Sequence, residues 1–174
     1  TDEQVTMTAT GVSGVTDGGA NISSQLDEVF TMEQCLYAIM VASANDIALQ
    51  VAEHVGGSVD AFVQTMNTRA QELGCTNTVF TNPTGLPDEN QHITAHDMAL
   101  IMEAAMANDT FRTIAATTSY TLPATNVSGG ERVLTNNFTM INSTSDGYYK
   151  PCIGGIEGYT EASGSTLVCE ASKN

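Results

Sequence analysis

Leu36-Tyr37-Ala38-Ile39-Met40-Val41-Ala42-Ser43-Ala44-Asn45-Asp46 is the stretch from which the organisation of this chain follows. Upstream of it, Thr31 and Gln34 have the spacing of a capping box, in which each side chain satisfies the other residue's orphan N–H. Leu36, Ile39 and Met40 then recur at helical spacing. Ser43 and Asn45 are residue types that favour helix-ending turns. A second helical segment is expected over 46–54, stopping at Gly56-Gly57. Ser58 is placed to cap a third helix, whose Val59, Phe62, Val63, Met66, Ala70 and Leu73 fall on one face. Gly74 ends it. Asn82-Pro83 and Leu86-Pro87-Asp88 read as turns.

Further out, Thr94 with Asp97 caps a helix whose buried stripe is Met98, Ile101, Met102, Ala105 and Met106. Methionines at that spacing fill a core rather than ligate a metal. Asp109 is expected to cap a short helix through Ile114. Residues 1–30, with Gly11, Gly14, Gly18 and Gly19 among Thr and Ser, read as loops with at most a short helix. Beyond 115 the period changes. Ser119–Leu122 and 132–134 are strand candidates, and 152–156 with 166–169 form a hairpin closed by a turn at 161–164. Helices first and antiparallel strands last make an α+β layout.

Composition limits what such a chain does. It has 174 residues, one domain's worth, of which 41% are apolar and only 14% charged. Five Lys+Arg against 20 Asp+Glu give a net charge of −15. Nucleic acid is excluded as a partner, because binding it requires cations to neutralise phosphates. Anionic membranes and wall polymers repel such a surface. The apolar run around 37–42 is far below the ~20 residues of a membrane span. No signal peptide, initiator Met or lipidation motif is present, so the chain is expected to be a processed product or a cut piece.

Cys35, Cys75, Cys152 and Cys169 form no C-x-x-C, which argues against zinc and thioredoxin-like chemistry. Buried thiols and disulfides both remain open. If the hairpin turns at about 160–161, Cys152 and Cys169 lie opposite each other. Five N-x-[ST] sequons, at Asn21, Asn108, Asn126, Asn137 and Asn142, matter only in a eukaryotic secretory setting. There is no G-x-S-x-G, P-loop or G-x-G-x-x-G. His92 and His96 flank a helix start at Thr94 and do not share a face. Neither a metal nor a cofactor is implied.

The run 36–46 is followed by Ala52-Glu53-His54-Val55-Gly56-Gly57-Ser58, Ala61-Phe62-Val63, Asn67, Ala70 and Glu72-Leu73-Gly74. Next come Thr76-Asn77-Thr78, Phe80, Asn82-Pro83, Gly85-Leu86-Pro87-Asp88, Thr94-Ala95-His96-Asp97-Met98-Ala99-Leu100 and Gly158-Tyr159-Thr160. Together these resemble the low-molecular-mass penicillin-binding proteins, the serine-type D-alanyl-D-alanine carboxypeptidases, over about residues 2–173. The resemblance implies the penicillin-binding, β-lactamase-like DD-peptidase fold. Residues 1–174 would be a single domain, an internal piece with the helical part, antiparallel strands and an incomplete sheet. It also implies peptidoglycan stem peptides or β-lactams as ligands and an extracytoplasmic, cell-envelope setting in a bacterium.

The family works through S-x-x-K, S-x-N and K-T-G. A serine attacks the D-Ala-D-Ala carbonyl, and a lysine with lowered pKa takes its proton. The S-x-N serine relays that proton while its asparagine holds the substrate amide. The K-T-G strand grips the terminal carboxylate. Here Ser43-Ala44-Asn45 supplies S-x-N, so Ser43 and Asn45 are the expected catalytic residues. No Ser-x-x-Lys can be written, because Gly147 and Glu170 precede Lys150 and Lys173 by three. Ile156, Glu157 and Gly158 stand at the K-T-G positions. The lysine is lost, and Glu157 would face the substrate carboxylate. The expected function is a carboxypeptidase homologue of peptidoglycan metabolism that is catalytically silent as it stands. A non-catalytic wall-binding or protein-interaction module on the same scaffold is the alternative. Missing neighbours would leave helix faces and strand edges uncovered, so self-association or a partner on the open edges is expected.

Overall fold

The computed structural model describes residues 2–15 and 18–172; Thr1, Thr16, Asp17, Lys173 and Asn174 lie outside the described residues. In chain order the elements are β1 (Gln4–Thr6), α1 (Ala9–Gly14), β2 (Val29–Thr31), α2 (Met32–Ala42), α3 (Asn45–Gly56), α4 (Val59–Glu72), α5 (Ala95–Met106) and α6 (Asp109–Ala115). Then follow β3 (Ser119–Leu122), β4 (Arg132–Thr135), a single 3-10 turn (Thr139–Ile141), β5 (Cys152–Thr160) and β6 (Gly164–Ala171). No helix among the described residues is long and apolar enough to cross a membrane.

Local chemistry starts and stops most of these elements where the sequence signals stand. Thr31 accepts from the Gln34 N–H at 3.2 Å, and the Gln34 side chain accepts from the Thr31 N–H at 2.8 Å, completing the capping box of α2. Ser58 Oγ accepts from Ala61 N at the start of α4. Gly74, at φ +88°, adopts the left-handed backbone that ends it. Thr94 caps α5 through the Asp97 N–H at 3.1 Å.

Residues 1–30 are not loops with a lone helix: β1 and β2 pair antiparallel, Val5 opposite Phe30, on either side of α1. These strands have three residues each, too short for alternation to show in sequence. Tertiary burial holds them, since Val5, Met7 and Phe30 are enclosed. The cap of α6 is Asn108 rather than Asp109. The Asn108 side-chain Oδ1 accepts from Thr110 N (2.9 Å) and Phe111 N (3.1 Å), and Asp109, one residue on, pairs with Arg112 instead.

The described residues form two compact units. The first comprises residues 1–62 and 119–136. Its core joins Val5, Met7, Phe30, Cys35, Ala38, Val41, Ile47, Leu122 and Leu134, drawn from β1 and the residue after it, β2, α2, α3 and the antiparallel pair β3–β4. Each Val, Ile, Leu, Met or Phe among them contributes roughly 1.5–3 kcal/mol on burial. Tyr37 of α2 stacks flat on Tyr120 of β3, centroids 4.0 Å apart. Into this apolar core the fold places Glu28, fully buried. It is paired with Arg132 and accepts from Thr125 Oγ1 (2.6 Å) and Gln25 N (3.0 Å). Such a charge is tolerable only with those partners.

The second unit comprises residues 63–118 and 137–174. Here α5 packs on β6 and α6 on β5. Asn67 of α4 ties down the following loop by a two-way bond with the Phe80 backbone, 2.8 Å in each direction. The β5–β6 hairpin is longer than the sequence signal and turns at residues 161–163. That shifts the register: Cys152 lies opposite Ala171, and Cys169 opposite Gly155, with an irregularity between Cys152 and Gly154. The direct Cys152–Cys169 opposition expected from a turn at 160–161 is therefore replaced by a diagonal one.

Candidate active site

Helix α2 ends because Ser43 turns into the left-handed region, φ 51° and ψ 39°. A non-glycine residue there is strained and persists only where its surroundings hold it. Those surroundings are visible. The Ser43 N–H donates to Ala38 O, and Ala44 is pushed into the core, 1% exposed. Asn45 then opens α3 with both its backbone N–H (2.9 Å) and its side-chain Nδ2 (3.0 Å) donating to Ala20 O. Asp46 locks the same strand of chain from the next position. Its carboxylate accepts from Ile22 N (3.3 Å), Ser24 N (3.1 Å) and Ser24 Oγ (2.7 Å). Segment 20–24 is thus fastened to the start of α3, and the exposed Ser43 hydroxyl is held at the tip of the turn with no hydrogen bond among the described residues. The amide nitrogen of Asn45 is committed to Ala20.

Sequence reasoning placed Ser43 and Asn45 correctly at a helix junction but missed Ala20 and Asp46. The signal available for Asp46 was its position in the first turn of α3, where a carboxylate meets the positive end of the helix.

Ile156, Glu157 and Gly158 lie in the second unit, consecutive on β5 and opposite Val168, Leu167 and Thr166. Ile156 is half-buried, while Glu157 and Gly158 are exposed. Thr166 Oγ1 donates to Gly158 O at 3.2 Å. Glu157 has no ion pair among the described residues. Ser43 and Asn45 share one turn of the first unit, and Ile156–Gly158 share one strand of the second.

No group of three or more His, Cys, Asp or Glu able to hold a metal occurs among the described residues. His92 joins a backbone bridge to Val79, and His96 Nδ1 lies 3.4 Å from Asp97 Oδ1. Asp97 is an anchor: buried, it accepts from Thr78 Oγ1 (2.7 Å) and Asn77 N (2.8 Å). Those bonds hold its carboxyl below the ordinary value of 3.8. The anion is favoured in the folded chain, so Asp97 contributes its stability in full above about pH 4. That contribution is lost as the pH falls through the depressed folded value. Thermal melts between pH 6 and pH 2 should therefore show a smaller acid-side fall for Asp97→Asn than for the parent chain. Equal slopes would remove Asp97 from the acid transition.

The residue pattern of the D-alanyl-D-alanine carboxypeptidases matches residues 1–174. The chain is 34% identical over 176 residues to the D-alanyl-D-alanine carboxypeptidase DacB2 of Mycobacterium tuberculosis, covering 98% of this chain and 57% of that protein. It is 31% identical over 158 residues to DacF of Bacillus subtilis, covering 90% and 38%. It thus spans little more than half of the first relative and less of the second. Among solved structures, the D-alanyl-D-alanine carboxypeptidase from M. tuberculosis superposes with a TM-score of 0.85 at 30% identity, covering 99% of this chain and 61% of that one. A Streptomyces DD-transpeptidase superposes at 0.89 and 27% identity, covering 99% and 68%. The strained serine at the α2–α3 turn and the helical layout that carries it are thus seated in a DD-peptidase fold, and the chain belongs to the D-alanyl-D-alanine carboxypeptidase family.

Proposed function

We propose that this chain is a serine-type D-Ala-D-Ala carboxypeptidase homologue of bacterial peptidoglycan metabolism, working outside the cytoplasm, and that its own residues leave it catalytically silent. Residues 1–174 would belong to one DD-peptidase-like domain, a view supported by the family match along their whole length. The observation that carries silence is the strand sequence Gly155-Ile156-Glu157-Gly158 where the family has a lysine and a threonine, together with the absence of any Ser-x-x-Lys in these residues. Acyl transfer requires a nucleophile and a base beside it. Ser43 has no lysine three residues on. In this proposal Ser43 and Asn45 occupy the S-x-N positions facing a stem peptide or a β-lactam, Asn45 with one amide N–H already given to Ala20 O, but nothing attacks.

A fluorescent penicillin should leave no covalent label on the purified chain. A stable adduct at Ser43, or at any other serine, would overturn the proposal. Open edges belong to the same reading: β5 and β6 form a two-stranded sheet among the described residues, and such a ribbon is marginal by itself and templates further pairing. Self-association should appear in sedimentation equilibrium at micromolar concentration. A compact monomer with a cooperative melt would reject it.

A further inference from the structure

We propose that Cys152 and Cys169 are a thiol pair built to close into a disulfide across the base of the β5–β6 hairpin. Cys152 is the first residue of β5 and is buried; Cys169 is near the end of β6 and half-buried. In a regular antiparallel ladder their diagonal relation would hold them about 7–8 Å apart, too far for a disulfide's Cβ spacing of roughly 3.8 Å. Two features act to narrow that gap. The irregularity between Cys152 and Gly154 inserts Ile153 and bends the strand at this point. Gly155, opposite Cys169, offers no side chain; a Cβ there would stand 2.7 Å from the Cys169 Cβ. With that space empty, the Cys169 side chain has room beside Gly155, while the Cys152 thiol donates to Gly154 O at 3.8 Å. The remaining cysteines are arranged otherwise. Cys35 is buried in the first unit, its thiol pushed up to about 12 by burial and by Asp46. Cys75 hydrogen-bonds to the Asp97 carbonyl at 3.5 Å.

Access exists on one side. Cys169 lines an open groove of about 540 Å³ between α5 and β6, with Met98, Met102 and Leu167. The oxidant is a low-mass disulfide. The Cys169 thiolate attacks one of its sulfurs, forming a mixed disulfide and expelling one thiol. The Cys152 thiolate then attacks the Cys169 sulfur and expels the second thiol. Two protein thiols are oxidised, one external disulfide is reduced, and the two protons end on the released thiols. Burial and the neighbouring Cys152 push the Cys169 thiol up, so closure should quicken as the pH rises. The product fixes the bulge just before Ile156, and so the placement of the strand carrying Ile156–Gly158.

The test uses the whole folded chain, incubated with oxidised glutathione at mildly alkaline pH. After trapping with an alkylating agent, it is mapped without reduction. A mass loss of two hydrogens, confined to a cross-linked pair of peptides containing Cys152 and Cys169, is expected, with a melt several degrees higher than that of the reduced chain. Cys152→Ser should instead retain glutathione on Cys169. Two alkylated thiols at 152 and 169 in the parent chain, persistent glutathione on its Cys169, or a cross-link through Cys35 or Cys75 would each overturn the proposal. The parent-chain map decides it even if the serine variant does not fold.

Discussion

Replacing Arg132 by Ala should destabilise the first unit by about 3–5 kcal/mol, because it leaves a carboxylate buried without its cation. Glu28 is wholly enclosed. Its remaining partners, Thr125 Oγ1 and Gln25 N, are neutral donors. Arg132 also donates to Ile22 O at 3.2 Å and lies over the Phe30 ring, 5.2 Å from its centroid. The single side chain thus joins β4 to β2 and to the segment fastened by Asp46. Urea unfolding measures the loss. Arg132→Ala combined with Glu28→Gln should recover part of it, since the uncompensated charge is then gone. A loss below about 1 kcal/mol in the single variant, the size typical of a solvent-exposed pair, would show that Glu28 needs no counter-ion.

The double substitution Ile156→Lys with Glu157→Thr should raise affinity for a peptide ending in D-Ala-D-Ala by roughly a hundredfold. The proposal sets these positions against the substrate carboxylate. Two anions ~4 Å apart repel by about 1 kcal/mol in water and about 4 kcal/mol near a protein surface. Glu157 is exposed, which favours the lower figure. Removing it and adding a charged hydrogen bond of about 1.5–3 kcal/mol gives the expected gain. Calorimetric titration measures it, and an acetylated peptide with its C-terminus amidated serves as control. Equal affinity before and after substitution would mean that β5 does not meet the substrate terminus. The same double variant should still take no penicillin label, because it still contains no Ser-x-x-Lys.

Residues with a local physical signature were legible in the sequence. The Thr31–Gln34 box, the single apolar face of α4, Gly74 and the Thr94–Asp97 cap all depend on neighbours within one or two turns. Ser43-Ala44-Asn45 was legible for the same reason, since it ends one helix and begins the next. What depended on distant partners was not. Three-residue strands such as β1 and β2 show no period, and they exist because Val5 and Phe30 are buried together. The pairing of Glu28 with Arg132 joins positions 104 residues apart. Ala20 enters the candidate site through a carbonyl, and a backbone atom carries no sequence signal. The hairpin register failed by the amount that its longer strands and one bulge introduce, which no turn residue announces.

The interleaving of the two units along the chain governs how it must fold. The first unit takes residues 1–62 and then 119–136, while the second takes 63–118 and then 137–174. Leu122 and Leu134, which complete the first core, are made only after most of the second unit's helices. The second unit in turn waits for β5 and β6. During synthesis at about 5–20 residues per second, the segment that will hold Glu28 therefore emerges seconds before the arginine that neutralises it. Neither half can close vectorially as it appears. Contacts of such long sequence separation slow folding, and neither unit is complete until residues beyond 118 have emerged.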